Sequence, residues 1–145
     1  MTEKEKMLAG MVYEAVLDED LKEDRLKCKD LCFAANQLPP SKIKEQSEIF
    51  VSLFAKAGEG FYITTPFWCD YGYNIEIGKN FYSNHNSVIL DCAKVTFGDN
   101  VFVGPNCCFA TAEHPLDETE RTRGLETARP IQVGNSEWFD AGVTV

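Results

Sequence analysis

From Phe61 onward the apolar positions recur neither every three to four residues nor every second residue, but every six. Apolar residues followed by glycine stand at Ile77–Gly78, Phe97–Gly98, Val103–Gly104 and Val133–Gly134, and Phe139 and Val145 continue the step. Small or apolar residues recur four places later, at Phe81, Ser87, Val101, Cys107 and Val143. A period of six fits neither a helix nor an alternating strand. It predicts a parallel β-helix in which each hexad forms one short side and three hexads complete a turn of a triangular solenoid. Glycine after the inward residue is expected because a corner demands backbone angles that a side chain forbids. The pattern breaks twice. Eight residues separate Ile89 from Phe97, a two-residue insertion at one corner, and a polar stretch between Phe109 and Ile131 must loop out. Excursions from a rigid scaffold are where chemistry is usually placed.

The first third of the chain follows helical periods instead. Thr2 and Glu5 form a capping box, predicting a helix to about Tyr13. Asp18 or Asp20 caps a second helix with Leu21, Cys28, Leu31, Cys32 and Ala35 on its apolar face, ended by Leu38-Pro39-Pro40. Ser41 opens a third, with Ile43, Ile49, Phe50, Leu53 and Phe54 on one side and Gly58-Glu59-Gly60 as its stop. Residues 1–57 therefore read as a helical N-terminal cap and 58–145 as the repeat. The cap is too small to bury a core alone and must pack on the repeat. Phe61-Tyr62-Ile63 and Phe67-Trp68-Cys69 begin the sheet, and residues 70–74 turn.

At 145 residues with 44% hydrophobic content, the chain is one domain with a short appendage. A net charge of −9 argues against a nucleic-acid partner, which needs a basic patch. No apolar run approaches the roughly 20 residues that span a bilayer, and the opening M-T-E-K-E-K is too charged for a signal peptide. A cytoplasmic location is expected. The six cysteines include no C-x-x-C pair, so they read as reduced, small buried hydrophobes.

Two histidines are present. His114 precedes Pro115 on the excursion, where a stiff backbone aims a group suited to act as general base on a hydroxyl. A loop histidine that only bonds a neighbour is the plain alternative. His85 reads as an ordinary surface residue. A catalytic zinc on three histidines is excluded by the count, so no metal is expected. Asn84 and Asp91 lie in consecutive hexads and are expected along one outer edge: an amide suits a developing oxyanion or sugar hydroxyl, a carboxylate a hydroxyl proton. Tyr82, Trp68 and Trp138 are aromatic surfaces for sugar rings or for packing between subunits.

Together, T-E-K-E-K-M-L-A-G, E-D-R-L-K-C-K-D-L-C, C-D-Y-G-Y-N-I-E-I-G-K-N-F-Y-S-N, F-G-D-N-V-F-V-G-P-N and T-A-E-H-P-L-D resemble the maltose and galactoside O-acetyltransferases over essentially the whole chain. That resemblance implies a left-handed β-helix with a helical cap, assembled as a homotrimer. It further implies transfer of acetyl from acetyl-CoA to a hydroxyl of maltose, glucose or a galactoside without an acyl-enzyme. His114 matches the catalytic histidine and Asn84 the residue that stabilises the transition state, with Glu126 orienting the histidine. Arg25, Asp70, Tyr82 and Asp91 match or adjoin acceptor positions; Gly104, Trp138 and the Ala141 amide fall along the donor groove. Two features depart from the family. Glu137 and Asp140 stand where a small inward residue and a glycine are usual, and the chain stops at Val145 where the family continues. These carry the alternative expectation of a truncated, catalytically silent coil with an incomplete CoA site. A further alternative keeps the enzyme but gives it a non-sugar acceptor.

Overall fold

The computed structural model covers residues 1–145. Its N-terminal part holds α1 (Glu3–Leu8), β1 (Tyr13–Glu14), α2 (Glu19–Gln37) and α3 (Ile43–Leu53). The capping box forms: the Glu5 amide donates to Thr2 Oγ1 at 3.1 Å and the Thr2 amide to the Glu5 carboxylate at 2.7 Å. The helix it starts is shorter than anticipated, because Tyr13 leaves the helical path to enter a strand and bury its ring. Asp18, not Asp20, caps α2 through the Leu21 amide at 2.9 Å. Leu21, Cys28, Cys32 and Ala35 are buried as the period predicts, while Leu31 stays largely at the surface. Ser41 does not cap α3, which begins at Ile43 without a side-chain cap; Phe50 and Leu53 point inward and Ile43 outward.

The chain then winds through β2 (Lys56–Ala57), β3 (Tyr62–Ile63), β4 (Phe67–Cys69), β5 (Ile75–Ile77), β6 (Tyr82–Ser83), β7 (Ser87–Leu90), β8 (Val95–Phe97), β9 (Phe102–Val103) and β10 (Cys108–Ala110). An excursion carries β11 (Ala112–Glu113), α4 (Glu118–Thr122) and β12 (Leu125–Ala128) before β13 (Ile131–Val133) and β14 (Trp138–Phe139) resume the winding. Strands fall in rotation onto three parallel sheets, β2-β5-β8-β13, β3-β6-β9-β14 and β4-β7-β10, which are the three sides of the anticipated coil. The coil starts at Lys56, slightly before the boundary read from the sequence.

Register makes the period explicit. Lys56, Glu76 and Thr96 stack at steps of 20 residues, three hexads plus the two-residue insertion. The next step, Thr96 to Gln132, is 36 residues because the excursion intervenes. The glycines serve a purpose other than the one expected. The left-handed backbone falls two residues later, at Gly60, Asn80, Asn100 and Ser136 after the first sheet and at Asn86, Asn106 and Gly142 after the second, with φ between 55° and 75°. Gly78 has an ordinary φ, but a Cβ there would collide with the Gly98 carbonyl one turn along. The stacked coils approach too closely for a side chain.

Ile77, Phe97, Val101, Val103 and Cys107 fill the interior. Phe81, Phe97, Phe109 and Phe139 run through it with centroids 5.0 Å apart at each step. Phe50 of α3 and Phe54 just after it pack on Phe67 of the first turn at 5.5 and 5.7 Å, within the same core. Each buried phenylalanine is worth about 1.5–3 kcal/mol, so the helices and the coil share one core. Glu137, which the hexad register would aim inward, is exposed. That spares a carboxylate the cost of an apolar interior.

Candidate active site

Three successive turns leave the hexad pattern at the same corner, between the third sheet and the first: at residues 70–74, 91–94 and 111–130. Asp91 organises it. Its Oδ1 accepts the amides of Asp70 and Tyr71 at 3.0 and 2.9 Å, and its Oδ2 those of Gly72 and Asn74 at 2.7 and 3.3 Å. The Asn74 side-chain amide closes the knot on the Asp91 carbonyl at 2.7 Å. Burial pushes the Asp91 carboxyl up to about 7, against amide bonds that favour its charged form. Asp91 is 0% exposed with its oxygens fully engaged, so it shapes the wall of a site and does not face one. This corrects its expected place on one outer edge with Asn84, and Asp91 meets the cavity through the Asp70 and Tyr71 amides it holds.

The excursion stands on this corner. Thr111 Oγ1 donates to the Leu90 carbonyl at 2.6 Å and accepts the Ala93 amide at 3.0 Å, and the Thr111 carbonyl accepts the Arg129 amide at 3.0 Å. Both ends of the excursion are thus tied to one point. Inside it, β11 and β12 pair antiparallel and β12 also pairs with β1, giving the sheet β1-β12-β11. His114 follows β11 and is exposed. The turn after it is fixed by Arg121 of α4, which donates to the Pro115 and Leu116 carbonyls at 3.1 and 3.0 Å. His114 Nδ1 lies 4.0 Å from Glu126 Oε2. That separation is long for a hydrogen bond, but catalytic contacts often tighten only with substrate present.

Glu126 is buried and lines a cavity of about 210 Å³ together with Ala15, Val16, Arg25, Asp70 and Cys92. Arg25 is held by two bonds, from Nη1 to the Tyr71 hydroxyl at 2.7 Å and from Nη2 to the Ala15 carbonyl at 2.8 Å. The Cys92 thiol reaches Asp70 Oδ2 at 3.4 Å and Glu126 Oε1 at 3.5 Å. Burial, with the carboxylate of Asp70 beside it, pushes that thiol up, so it remains a neutral donor. Burial also raises the Asp70 carboxyl, and Glu126 adds to this while Arg25 opposes it. Two carboxylates, a guanidinium and hydroxyl or thiol donors around one small cavity suit a ligand with several hydroxyl groups.

His114, Glu126, Arg25 and Asp70 therefore come together, and the other anticipated residues do not join them in this chain. Asn84, Gly104 and Ala141 lie at the opposite corner, between the second sheet and the third. There Asn84 Oδ1 accepts the His85 amide at 2.7 Å and the Gly104 amide donates to the Phe139 carbonyl at 2.8 Å. The Ala141 amide is taken by the Asp140 carboxylate at 2.8 Å. Tyr82 and Trp138 belong to an outward aromatic column on the second sheet, Tyr62-Tyr82-Phe102-Trp138. Tyr62, Phe102 and Trp138 of that column are exposed.

Cys28, Cys32 and Cys69 gather between α2 and β4 with all three Sγ atoms within 4.8 Å, a proximity no spacing announced. The surroundings are the apolar core, where three thiolates on a divalent ion would leave a buried net charge. Neutral thiols suit the site better. Cys92, which lines the cavity, and Tyr13, which bonds Glu126 behind it, carried no sequence signal. Tyr13 sat at an apparent helix end, and its partner lies 113 residues away.

Comparison with known proteins agrees with this architecture. Residues 6–58 match the family model described as the maltose acetyltransferase hexapeptide capping motif. YJL218W of Saccharomyces cerevisiae, named as a candidate acetyltransferase, is 43% identical over 141 residues, covering 97% of this chain and 72% of that protein. A galactoside acetyltransferase solved in complex with coenzyme A superposes with a TM-score of 0.89 at 35% identity, covering 99% of this chain and 74% of that one. A maltose O-acetyltransferase from Clostridium difficile gives a TM-score of 0.87 at 37% identity, with 99% and 80% covered. No helix is long and apolar enough to cross a membrane. The chain belongs to the maltose and galactoside acetyltransferase family of hexapeptide-repeat acyltransferases.

Proposed function

We propose that this protein transfers the acetyl group of acetyl-CoA to a hydroxyl of a small sugar such as maltose, glucose or a galactoside. The observation that carries the reading is the row His114–Glu126 beside the cavity of Arg25, Asp70 and Cys92. With Nδ1 turned to Glu126, His114 keeps Nε2 for the acceptor. It takes the hydroxyl proton as the oxygen attacks the thioester carbonyl; the C–O bond forms, the C–S bond breaks, and the proton passes to the departing sulfur. No acyl-enzyme is needed, because donor and acceptor held together supply much of the rate. Arg25 and Asp70 orient the sugar ring, while Asn84 steadies the developing oxyanion.

Asn84, Gly104 and Ala141 line a different corner from His114, with Trp138 on the sheet that leads into it, which favours a homotrimer. Each copy then offers its His114 corner to the donor edge of its neighbour. In this reading the coil is left-handed, residues 1–57 cap it, Tyr82 adjoins the acceptor, and the protein works in the cytoplasm.

The test is steady-state release of CoA with acetyl-CoA and a panel of sugars. His114→Ala should lower kcat/KM by about 10²–10⁴-fold with unchanged far-UV circular dichroism. A His114→Ala variant as active as the parent would end the assignment. One observation favours a second reading, a coil that binds sugar without turnover: the Ala141 amide is occupied by Asp140. Calorimetry showing no CoA binding, with sugar binding retained, would select it.

A further inference from the structure

The middle strand of the excursion sheet has a neighbour on each side. On one, β1 sets Tyr13 directly opposite Glu126. On the other, β11 pairs Glu113 with Thr127, so that His114, the next residue, comes level with Glu126. Tyr13, Glu126 and His114 thus form one row across three strands, although Tyr13 lies 113 residues from Glu126.

The two oxygens of Glu126 face opposite ends of that row. Oε1 accepts the Tyr13 hydroxyl at 2.7 Å, and Oε2 lies 4.0 Å from His114 Nδ1. Glu126 and Tyr13 are 8% and 1% exposed, and the phenol is the one strong donor that the fold itself sets on Oε1. Burial, reinforced by Glu126, holds that phenol far above its usual range, and it remains a donor at any working pH. Arg25, which lines the same cavity, is committed to Tyr71 and the Ala15 carbonyl. A glutamate has three side-chain torsions, and without its phenol partner Oε2 would not be aimed. Cys92 alone, a weak donor at 3.5 Å, is a poor replacement.

We propose that Tyr13 is a positioning residue for His114, acting through Glu126. The N-terminal strand clamps the excursion so that one imidazole tautomer, with its proton on Nδ1, is held toward the acceptor. The inference rests on the reading of His114 as general base and adds a role for the first residues of the chain.

The experiment compares Tyr13→Phe, Glu126→Gln and the double variant. Tyr13→Phe should lower kcat about tenfold, the scale of one hydrogen bond to a charged group, and leave KM for acetyl-CoA unchanged. Glu126→Gln should cost a similar factor, and the double variant no more than the larger single loss, because both act on one row. The chain has only two histidines, so nitrogen-15 spectra of the imidazoles, with His85 assigned through His85→Asn, report on His114 directly. Tyr13→Phe should convert a single His114 tautomer into a mixture. Parental kcat and tautomer in Tyr13→Phe, or additive losses in the double variant, would overturn the clamp. If Tyr13→Phe does not fold, 4-aminophenylalanine incorporated at position 13, which keeps the ring and its packing but offers Glu126 a weaker donor, decides by the same two readouts. An inactive His114→Ala beside fully active Tyr13 and Glu126 variants refutes the clamp alone. An active His114→Ala refutes the general-base reading, and the clamp with it.

Discussion

The corner joining the first sheet to the second repeats with every turn, whereas the corner joining the third to the first differs in each. At the regular corner Gly58, Gly78 and Gly98 stack with no room for a side chain between turns. Beside them the Lys79 amide donates to Asp99 and the Asp99 amide to Asn135, each at 2.8 Å, one rung after another. At the irregular corner the turns run over residues 70–74, 91–94 and then the whole excursion, and the bonds join unlike partners: Asp91 to four amides, Thr111 to Leu90 and Ala93, Tyr13 to Glu126. Repetition makes a stiff column whose failure is a packing failure. Departure from repetition collects polar side chains that an unbroken hexad would have turned to solvent, and builds a cavity from them. The same backbone repeats its packing at one corner and gathers a polar cavity at the other.

Breaking the irregular corner should cost most. Asp91→Ala would leave four amides without their acceptor. Urea denaturation should show a loss of about 4 kcal/mol, and activity per folded molecule should drop as well, because Asp70 and Tyr71 lose their anchorage. Gly78→Ala attacks the other corner by forcing a Cβ onto the Gly98 carbonyl. A loss of about 2 kcal/mol with unchanged kcat in the surviving folded fraction is expected. A fall in kcat as large as that of Asp91→Ala would erase the distinction between the corners. Asp140→Gly releases the Ala141 amide and removes a negative charge from the proposed donor edge. CoA affinity by calorimetry should rise about fivefold, near the worth of one neutral hydrogen bond.

The smallest effect lies in the helical part. Burial disfavours the charged form of Asp24, but bonds from Lys4 at 2.9 Å and the Tyr73 hydroxyl at 3.0 Å hold its carboxyl below the usual range. The folded state therefore releases this proton more readily than the unfolded chain. The contribution is present above the usual aspartate range and is lost as pH falls through the lowered folded value. Asp24→Asn should cost under about 1 kcal/mol at pH 7, since the pair is partly exposed. The difference from the parent should vanish at low pH in denaturant titrations.

The six-residue step in Ile77, Phe97, Val103 and Val133 determined the three-sided coil, because an inward position every six residues is a local property that each turn repeats. Thr2 and Asp18 likewise announced two helix starts, since a cap is written within a few residues. The period also located the break after Phe109, and the resemblance pointed to His114, Glu126, Arg25 and Asp70. What those letters did not contain was the partner of each break. The place of Asp91 inside the wall, the strand that Tyr13 forms in preference to a helix, and the Cys92 bridge between two carboxylates depend on residues 17 to 113 positions away. Spacing along a chain encodes repetition, whereas a buried polar network is chosen by whatever the finished coil brings within about 3 Å of an unpaired donor or acceptor. Only the tertiary structure made that choice.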